Sequence, residues 1–299
     1  MPHLTSSGTG LAVIGSGAAT GPSMTGTGPS LAGTGTGPSL AGTGTGAATG
    51  PSAAGTGTGL SAAGAERLGF GIPGCAHPFP ALADWDELAR PGAPVHWAVL
   101  DVAGGLGARL DPHRLEVADR LRNAGVRVLG RLDLGRGARP FSDAVSEAHR
   151  QVDWYRVDGY FLDRCPTEGR DLAGVRRLAT VLKAAVNQAD GAYLVLGHGG
   201  PPHPGYADAA DQMVTFSGPW AEYRWSQAAE WTAEHPPERF VHFVHGVPRN
   251  HLDEAVRIAR WQGAGTVFFT DRTGRTSPFA ALPGYWDEIV SQIGPGVSE

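Results

Sequence analysis

Eight short apolar runs follow one another between residues 68 and 271 of this 299-residue chain, and most are separated by a stretch with helical periodicity. The runs are nearly continuous in apolar residues, which is typical of parallel strands covered on both faces. Eight such units in about 230 residues predict an α/β fold, a (β/α)8 TIM barrel. The predicted strands are LGFGIP (68–73), VHWAVLDV (95–102), VRVLGRLD (126–133), GYFLDR (159–164), AYLVLGH (192–198), QMVTFSG (212–218), FVHFVHGV (240–247) and TVFFTD (266–271).

An open, doubly wound sheet is the rival architecture. It would need a glycine-rich phosphate-binding turn after its first strand, and GFGIPG (69–74) matches that turn poorly because Ile72 and Pro73 interrupt it. In the barrel, the expected helices cover 114–125, 143–152, 170–187, 251–263 and about 285–293. Gly125 stands where a C-terminal helix cap is expected, and Asn250 is the expected N-cap of the helix over 251–263.

The first 65 residues differ from the rest because they contain no Asp, Glu, Lys or Arg. They consist mainly of Gly, Thr, Ser, Ala and Pro, so they can bury too little apolar area to offset the entropy of ordering the backbone. We expect a disordered leader over 1–65 and one barrel domain over 66–299. A linker or a start codon placed too early would explain the leader most simply, with a functional tail as the alternative.

Targeting signals are the next consideration. No Lys or Arg precedes the apolar run at 11–14, so the leader lacks the pattern of a secretory signal peptide. No window is long and apolar enough for a transmembrane helix. We therefore expect no membrane partner, and the sequence favours a cytoplasmic over a secreted location.

Charge and cysteine content narrow the function classes. The formal net charge of −5 argues against non-specific binding to nucleic acid. Cys75 and Cys165 are the two cysteines, too few for a disulfide framework or a cysteine zinc site. The histidines show no metal-binding spacing. We expect no metal and no cofactor.

A polar residue ends seven of the eight predicted strands. Any one of them could simply cap the following helix. In a barrel, however, the carboxyl ends of all strands surround one mouth, where such enzymes carry their chemistry, so together these residues predict a site. They are Asp101, Asp133, Asp163 with Arg164 beside it, His198, Ser217, His245 and Asp271.

Arginines gather near the same strand ends. Arg131, Arg136, Arg139 and Arg164 could bind an anionic group of a ligand, because the guanidinium fork suits carboxylate and phosphate. Ordinary ion pairs with neighbouring aspartates are the alternative, including a pair between Arg164 and Asp163.

Aromatic residues follow the sixth strand in GPWAEYRWSQ (218–227). Trp220 could stack on a sugar ring at the mouth, as could Tyr223 or Trp225. Aromatic residues at helical spacing are also common in protein cores. The pattern leaves both possibilities open, and the predicted ligand is a carbohydrate or another small polar molecule.

At these residues the sequence resembles the spherulin-4 family, also called spherulation-specific family 4. The resemblance implies a (β/α)8 barrel and kinship with glycoside hydrolases that cut galactosamine-containing polysaccharides. VDGYFLD and VHGVP are the most specific of the matching motifs. These motifs are VLGRLDLGRGARP (128–140), WYRVDGYFLDR (154–164), ADQMVTFSG (210–218), VHGVP (244–248) and LPGYWDEIV (282–290).

The chain departs from the family pattern at the carboxylates. The family has Asp-Glu after the fourth strand and Glu-Gly after the sixth. Here Asp163 is kept, but Arg164 and Ser217 replace the two glutamates, and Asp101 stands where the family has asparagine. Because glycoside hydrolysis uses two carboxylates at a defined separation, the family activity does not carry over unchanged.

Three hypotheses follow from this altered set. The first is a carbohydrate-active enzyme with Asp163 as acid and Asp101 or Asp133 as base or nucleophile. The second is a non-catalytic carbohydrate-binding protein on the same scaffold. The third is an enzyme acting on an anionic sugar or phosphosugar.

Overall fold

The barrel predicted from the eight apolar runs is confirmed. The computed structural model describes residues 68–74, 76–100, 109–186, 191–274 and 278–293. Each strand pairs in parallel with the next, and the eighth pairs with the first to close the sheet. A closed sheet rules out the open doubly wound alternative. The strands are β1 Gly69–Ile72, β2 Val95–Leu100, β3 Arg127–Asp133, β4 Gly159–Cys165, β5 Tyr193–His198, β6 Gln212–Pro219, β7 Phe240–His245 and β8 Thr266–Thr270.

Helices follow most strands and cover the outside of the barrel. They are α1 Leu82–Leu88, α2 Pro112–Asn123, α3 Phe141–Tyr155, α4 Leu172–Ala185, α5 Trp220–Tyr223, α6 Leu252–Trp261 and α7 Trp286–Ile293. The predicted leader over 1–65 and the second-strand residue Asp101 lie outside the described residues.

The ends of two helices illustrate how local chemistry sets the boundaries. After α2, Gly125 has φ +83° and follows the capping residue Ala124, as expected for a glycine that ends a helix. The prediction of Asn250 as the N-cap of α6 is wrong. Pro248 starts a short 3-10 turn in which the backbone N–H of His251 donates to the Pro248 carbonyl (2.9 Å), and His251 becomes the capping residue.

The two connections on either side of β6 lack a full helix. Between β5 and β6 the chain forms only the 3-10 turn Pro204–Tyr206. After β6 it forms the four-residue α5 and then the 3-10 segments Glu230–Glu234 and Pro237–Arg239. The barrel is therefore less thickly covered here, and a second cavity lies beside the mouth at this point.

Aromatic side chains fill the barrel interior below the mouth. Trp97 lies with its ring centroid 6.0 Å from that of Phe161 and 6.2 Å from that of Phe243. The Trp97 indole N–H donates to Gln212 Oε1 (2.7 Å), and Gln212 in turn donates to Thr266 Oγ1 (2.9 Å). These buried polar groups satisfy one another, so the interior is a packed core and not a pore.

Within the described ranges, no helix has the length and apolar character needed to cross a bilayer.

Candidate functional site

A cavity of about 240 Å³ opens at the carboxyl ends of the strands. It brings together five of the residues predicted from the strand ends and neighbouring arginines. These five are Arg131, Asp163, Arg164, His198 and Ser217. Its apolar walls are Phe161 and Phe243 from the strands and Phe279 from the loop after β8.

Two crossed ion pairs hold the β3–β4 side of this mouth. Asp133 and Asp163 are register partners on the adjacent strands, so their side chains leave the sheet next to each other. Arg131 donates from Nε (3.1 Å) and from Nη2 to Oδ2 of Asp163. Arg164 donates from Nε to Oδ1 of Asp133 (2.7 Å) and from Nη2 to Oδ2. Each arginine therefore pairs with the aspartate of the other strand.

Arg164 reaches Asp133 because the backbone of β4 is irregular at this residue. The register with β5 shifts between Leu162 and Cys165, and Arg164 has φ +49°, in the left-handed region that non-glycine residues rarely adopt. The turn directs the guanidinium to the neighbouring strand, so the pair that we considered between Arg164 and Asp163 gives way to the pair with Asp133.

Asp133 serves as a turn residue as well as an ion-pair partner. Its Oδ1 also accepts from the backbone N–H of Gly135 (2.8 Å). The hydrogen bond from Arg164 is the main reason that the pKa of Asp133 lies below its usual value, with burial acting in the opposite direction. Both carboxylate oxygens are thus engaged by described residues.

The other two predicted arginines lie away from the cavity. Arg139 donates to Glu147 Oε2 (2.5 Å) and to the Asp133 carbonyl (3.1 Å), so it fastens the β3–α3 turn to α3. Arg136 is exposed in the same turn with φ +57°. Neither lines the mouth cavity.

His198 ends β5 and is almost completely buried, with 4% of its surface exposed. Its ring meets that of Tyr206 edge-on at 5.0 Å. Neither ring nitrogen has a hydrogen-bond partner of good geometry among the described residues, although backbone groups of Cys165 and Pro166 lie near enough to counteract the effect of burial in part. Burial lowers the pKa of His198 to about 4, so the ring is neutral at neutral pH.

Three further predicted residues lie outside the lining of the mouth cavity. His245 packs edge-on against Phe279 with ring centroids 5.9 Å apart. Asp271 is exposed and accepts from the backbone N–H of Gly284 (3.2 Å). Trp220 is only 6% exposed and packs against Tyr223 and His251.

A second cavity of about 390 Å³ adjoins the first on the β5–β6 side. The two share the wall formed by His198, Gly199, Val214 and Ser217. Glu222 and Trp231 line the second cavity, together with Phe216 from β6. The sequence reasoning missed these three residues. The sequence signal that could have indicated this second cavity is the unusual length of the β6–β7 connection, which lacks a full helix.

A buried hydrogen-bonded chain lies in the wall of the second cavity. The Tyr223 hydroxyl is 2.8 Å from His242 Nδ1, and His242 Nε2 is 3.1 Å from Thr215 Oγ1. Burial lowers the pKa of His242 to about 3 and raises that of Tyr223 beyond its ordinary range. Both groups are neutral, and their hydrogen bonds fix the backs of β6 and β7.

No three His, Cys, Asp or Glu side chains in the described ranges come together in a way that could hold an ion. The expectations of no metal and no cofactor stay predictions.

Comparison with solved structures finds barrels that superpose on this chain. Sph3 from Aspergillus clavatus, solved in complex with GalNAc, superposes with a TM-score of 0.66 at 23% sequence identity, covering 76% of this chain and 97% of Sph3. The glycoside hydrolase domain of PelA from Pseudomonas aeruginosa gives a TM-score of 0.41 at 18% identity, covering 70% of this chain and 98% of that domain. The first of these likenesses supports the fold.

The family comparison is more specific than the structural one. The comparison with curated proteins gave no match. The model of spherulation-specific family 4 matches residues 84–293, well over half of the chain and nearly all of the barrel. The chain therefore belongs to spherulation-specific family 4, as its motifs indicated.

Proposed function

We propose that this protein is a carbohydrate-active enzyme that hydrolyses glycosidic bonds in an amino-sugar polysaccharide, with Asp163 as one catalytic carboxylate. The observation that carries the proposal is the position of Asp163, at the end of a barrel strand and in the wall of the mouth cavity. Among the described residues lining that cavity, Asp163 is the acidic one. Sph3, which shares the fold, holds GalNAc in its crystal structure, which favours an amino sugar as the ligand.

The walls of the cavity suit a sugar ring. A pyranose presents C–H groups on its faces and hydroxyl groups around its edge. Phe161, Phe243 and Phe279 supply an apolar wall, while Asp163 and His198 supply polar groups. Such a mixture, largely apolar with a few placed polar groups, is typical of small-molecule sites.

The chemistry requires a second carboxylate. One group protonates the leaving oxygen, and the other activates water or attacks the sugar. Asp133 is poorly suited because Arg164 and Gly135 already occupy both of its oxygens. Asp101 was the other candidate and lies outside the described residues.

A non-catalytic carbohydrate-binding protein is the second candidate function, and the crossed ion pairs favour it. An aspartate held by an arginine is compensated in charge and fixed in position. Binding without turnover would then be the outcome. The third hypothesis, an anionic substrate, finds less support because Arg131, Arg139 and Arg164 are engaged with carboxylates.

The test is release of reducing ends by the purified full-length protein from a panel of amino-sugar and acidic polysaccharides. We expect wild type to release them from at least one amino-sugar polymer. Asp163→Asn should lower the rate by about 10²–10⁴-fold, the usual contribution of a catalytic acid or base. Asp208→Asn is the matched control, because Asp208 is exposed and lies outside the cavity lining.

Two results would overturn the proposal. A folded wild type that releases nothing, yet binds a glycan by calorimetry, would establish the binding protein instead. Full activity in a folded Asp163→Asn variant would remove the role of Asp163.

A further inference from the structure

We infer that Glu222 is the second catalytic carboxylate, acting as the general acid across the cleft from Asp163. The inference rests on the proposed function. It concerns a residue beyond the strand ends, in the connection that follows β6.

The chain positions Glu222 tightly at the rim of the barrel. Helix α5 begins at Trp220, directly after the last residue of β6, so no loose loop separates Glu222 from the sheet. Trp220 and Tyr223 are buried on either side of it and anchor the helix. A Cβ atom built on Gly218 would lie 3.6 Å from Glu222 Oε2, so the carboxylate lies directly beside the end of β6.

The two adjoining cavities, together called the cleft, have a carboxylate on each side of their shared wall. Both include His198 and Ser217 in their linings, so they meet at these residues. Among the described lining residues, Asp163 is the acidic residue of the first cavity and Glu222 that of the second. A glycosidic bond lying across the shared wall would have one carboxylate on each side.

The separation of the two elements indicates the reaction course. Asp163 lies near the end of β4, and Glu222 lies beyond the end of β6, two strands away. Two strand spacings amount to about 9–10 Å before the side chains lean toward the mouth. Inverting glycosidases hold their carboxyl groups about 6.5–9.5 Å apart and retaining enzymes about 5–5.5 Å. Because the spacing between the two strands already exceeds the carboxyl separation of retaining enzymes, we expect inversion.

Local charge divides the roles between the two groups and makes Asp163 the base, in place of the acid role that the sequence suggested. A general base acts in its negatively charged form, and the Arg131 guanidinium lies directly against Asp163. A general acid must carry a proton, which a neighbouring cation would oppose. The ion pairs found among the described residues include Asp163 but not Glu222, and nearby Arg224 pairs with Glu254.

In the resulting step, water attacks the anomeric carbon from the Asp163 side, and the Asp163 carboxylate takes a proton from that water. The bond between the anomeric carbon and the glycosidic oxygen breaks as the new carbon–oxygen bond forms. The leaving oxygen keeps the electron pair of the broken bond and receives the Glu222 proton. Glu222 ends charged and Asp163 protonated, and exchange with solvent restores both.

The experiment compares two leaving groups in the full-length protein. The substrates are 4-methoxyphenyl and 2,4-dinitrophenyl glycosides of an N-acetylgalactosamine trisaccharide, in both anomers. Glu222→Gln should slow cleavage of the methoxyphenyl glycoside, which needs protonation, by about 10²–10⁴-fold. Cleavage of the dinitrophenyl glycoside should fall less than about tenfold, because that leaving group departs without an acid.

The control is Glu234→Gln, an exposed glutamate of the same connection that does not line the cleft. It should leave both rates unchanged, and thermal unfolding should confirm that each variant is folded. NMR of the first product should show the inverted anomer.

An active wild type whose Glu222→Gln variant slows equally on both glycosides, or not at all, overturns the inference but leaves the proposed function standing. Retention of the anomeric configuration also overturns the inference and leaves the proposed function standing. A wild type that cleaves no polysaccharide and no aryl glycoside overturns the proposed function and this inference together.

Discussion

The two sides of the barrel mouth are built from different kinds of interaction. On the β3–β4 side, two arginines and two aspartates pair across the strands, and each charge has a partner. On the β5–β6 side, His198 is buried without a hydrogen-bond partner of good geometry among the described residues, and Glu222 is in no ion pair found there. The first side is fixed by its own contacts. The second has polar groups left to meet a ligand.

This difference suggests a division of labour within the cleft. The paired side holds Asp163 in place, while the other side supplies the acid and the wall of the larger cavity. The thin covering around β6 makes this possible, because short turns instead of a full helix leave space beside the sheet.

Apart from loss of the catalytic carboxylates themselves, the largest effect is expected from breaking the paired side at Arg131. Arg131→Gln removes the charge-assisted interaction that positions Asp163, worth about 1.5–3 kcal/mol in all, so turnover should fall about 10–150-fold. Steady-state kinetics of the full-length protein on the substrate found in the panel measures it. Arg131→Lys keeps the charge but not the fork geometry and should recover only part of the loss. Unchanged turnover in Arg131→Gln would mean that Asp163 needs no positioning.

Burial of neutral His198 on the β5–β6 side should make the protein less stable to unfolding in acid. His198 has its pKa lowered to about 4 in the folded protein, whereas an unfolded histidine titrates near 6.5. The unfolded chain therefore binds more protons between these values, and stability is lost as the pH falls from 6.5 toward 4. The contribution of His198 amounts to about 2 kcal/mol between pH 6.5 and pH 5.

Urea unfolding at the two pH values tests this. His198→Gln should reduce the pH dependence by about that amount. His242 acts in the same direction over a window that extends to about pH 3, so a residual dependence should persist in the variant. An identical pH dependence in wild type and His198→Gln would contradict a neutral buried His198.

A smaller effect is expected from the wall of the second cavity. Trp231→Ala removes an aromatic face worth about 0.5–1.5 kcal/mol against a sugar, so the affinity for an oligosaccharide should fall about 2–10-fold. Isothermal titration calorimetry gives the dissociation constant. Trp225→Ala is the control, since Trp225 is 79% exposed and does not line the cleft. Equal losses in both variants would show that the second cavity does not hold the sugar.

The sequence alone predicted the architecture well because the apolar runs are long and continuous. Every predicted strand overlaps an observed one, and five of them, β3, β4, β5, β6 and β8, differ from prediction by one residue. The mouth was also predictable, since barrel topology brings the strand ends together whatever their side chains.

Which side chains pair or pack with each other in the mouth could not be predicted in the same way. Arg164 pairs with Asp133 instead of Asp163 because Arg164 has a left-handed backbone conformation and the register of β4 shifts at this point. No glycine in the sequence marks either feature. Trp220 looked like a sugar platform but packs against His251 because α5 follows β6 without a loop. Glu222 was missed because a lone glutamate on a short polar segment resembles ordinary surface.

The most direct test of the catalytic role of Asp163 compares it with Asp133, its register partner on the neighbouring strand. Rates of reducing-end release should be measured for full-length Asp163→Asn and Asp133→Asn on the same polysaccharide, with unfolding curves for both. The account predicts a loss of about 10²–10⁴-fold for Asp163→Asn. Because Asp133 caps a turn and pairs with Arg164, Asp133→Asn should keep turnover within about tenfold. An equally severe loss in a folded Asp133→Asn, or full activity in Asp163→Asn, would contradict it.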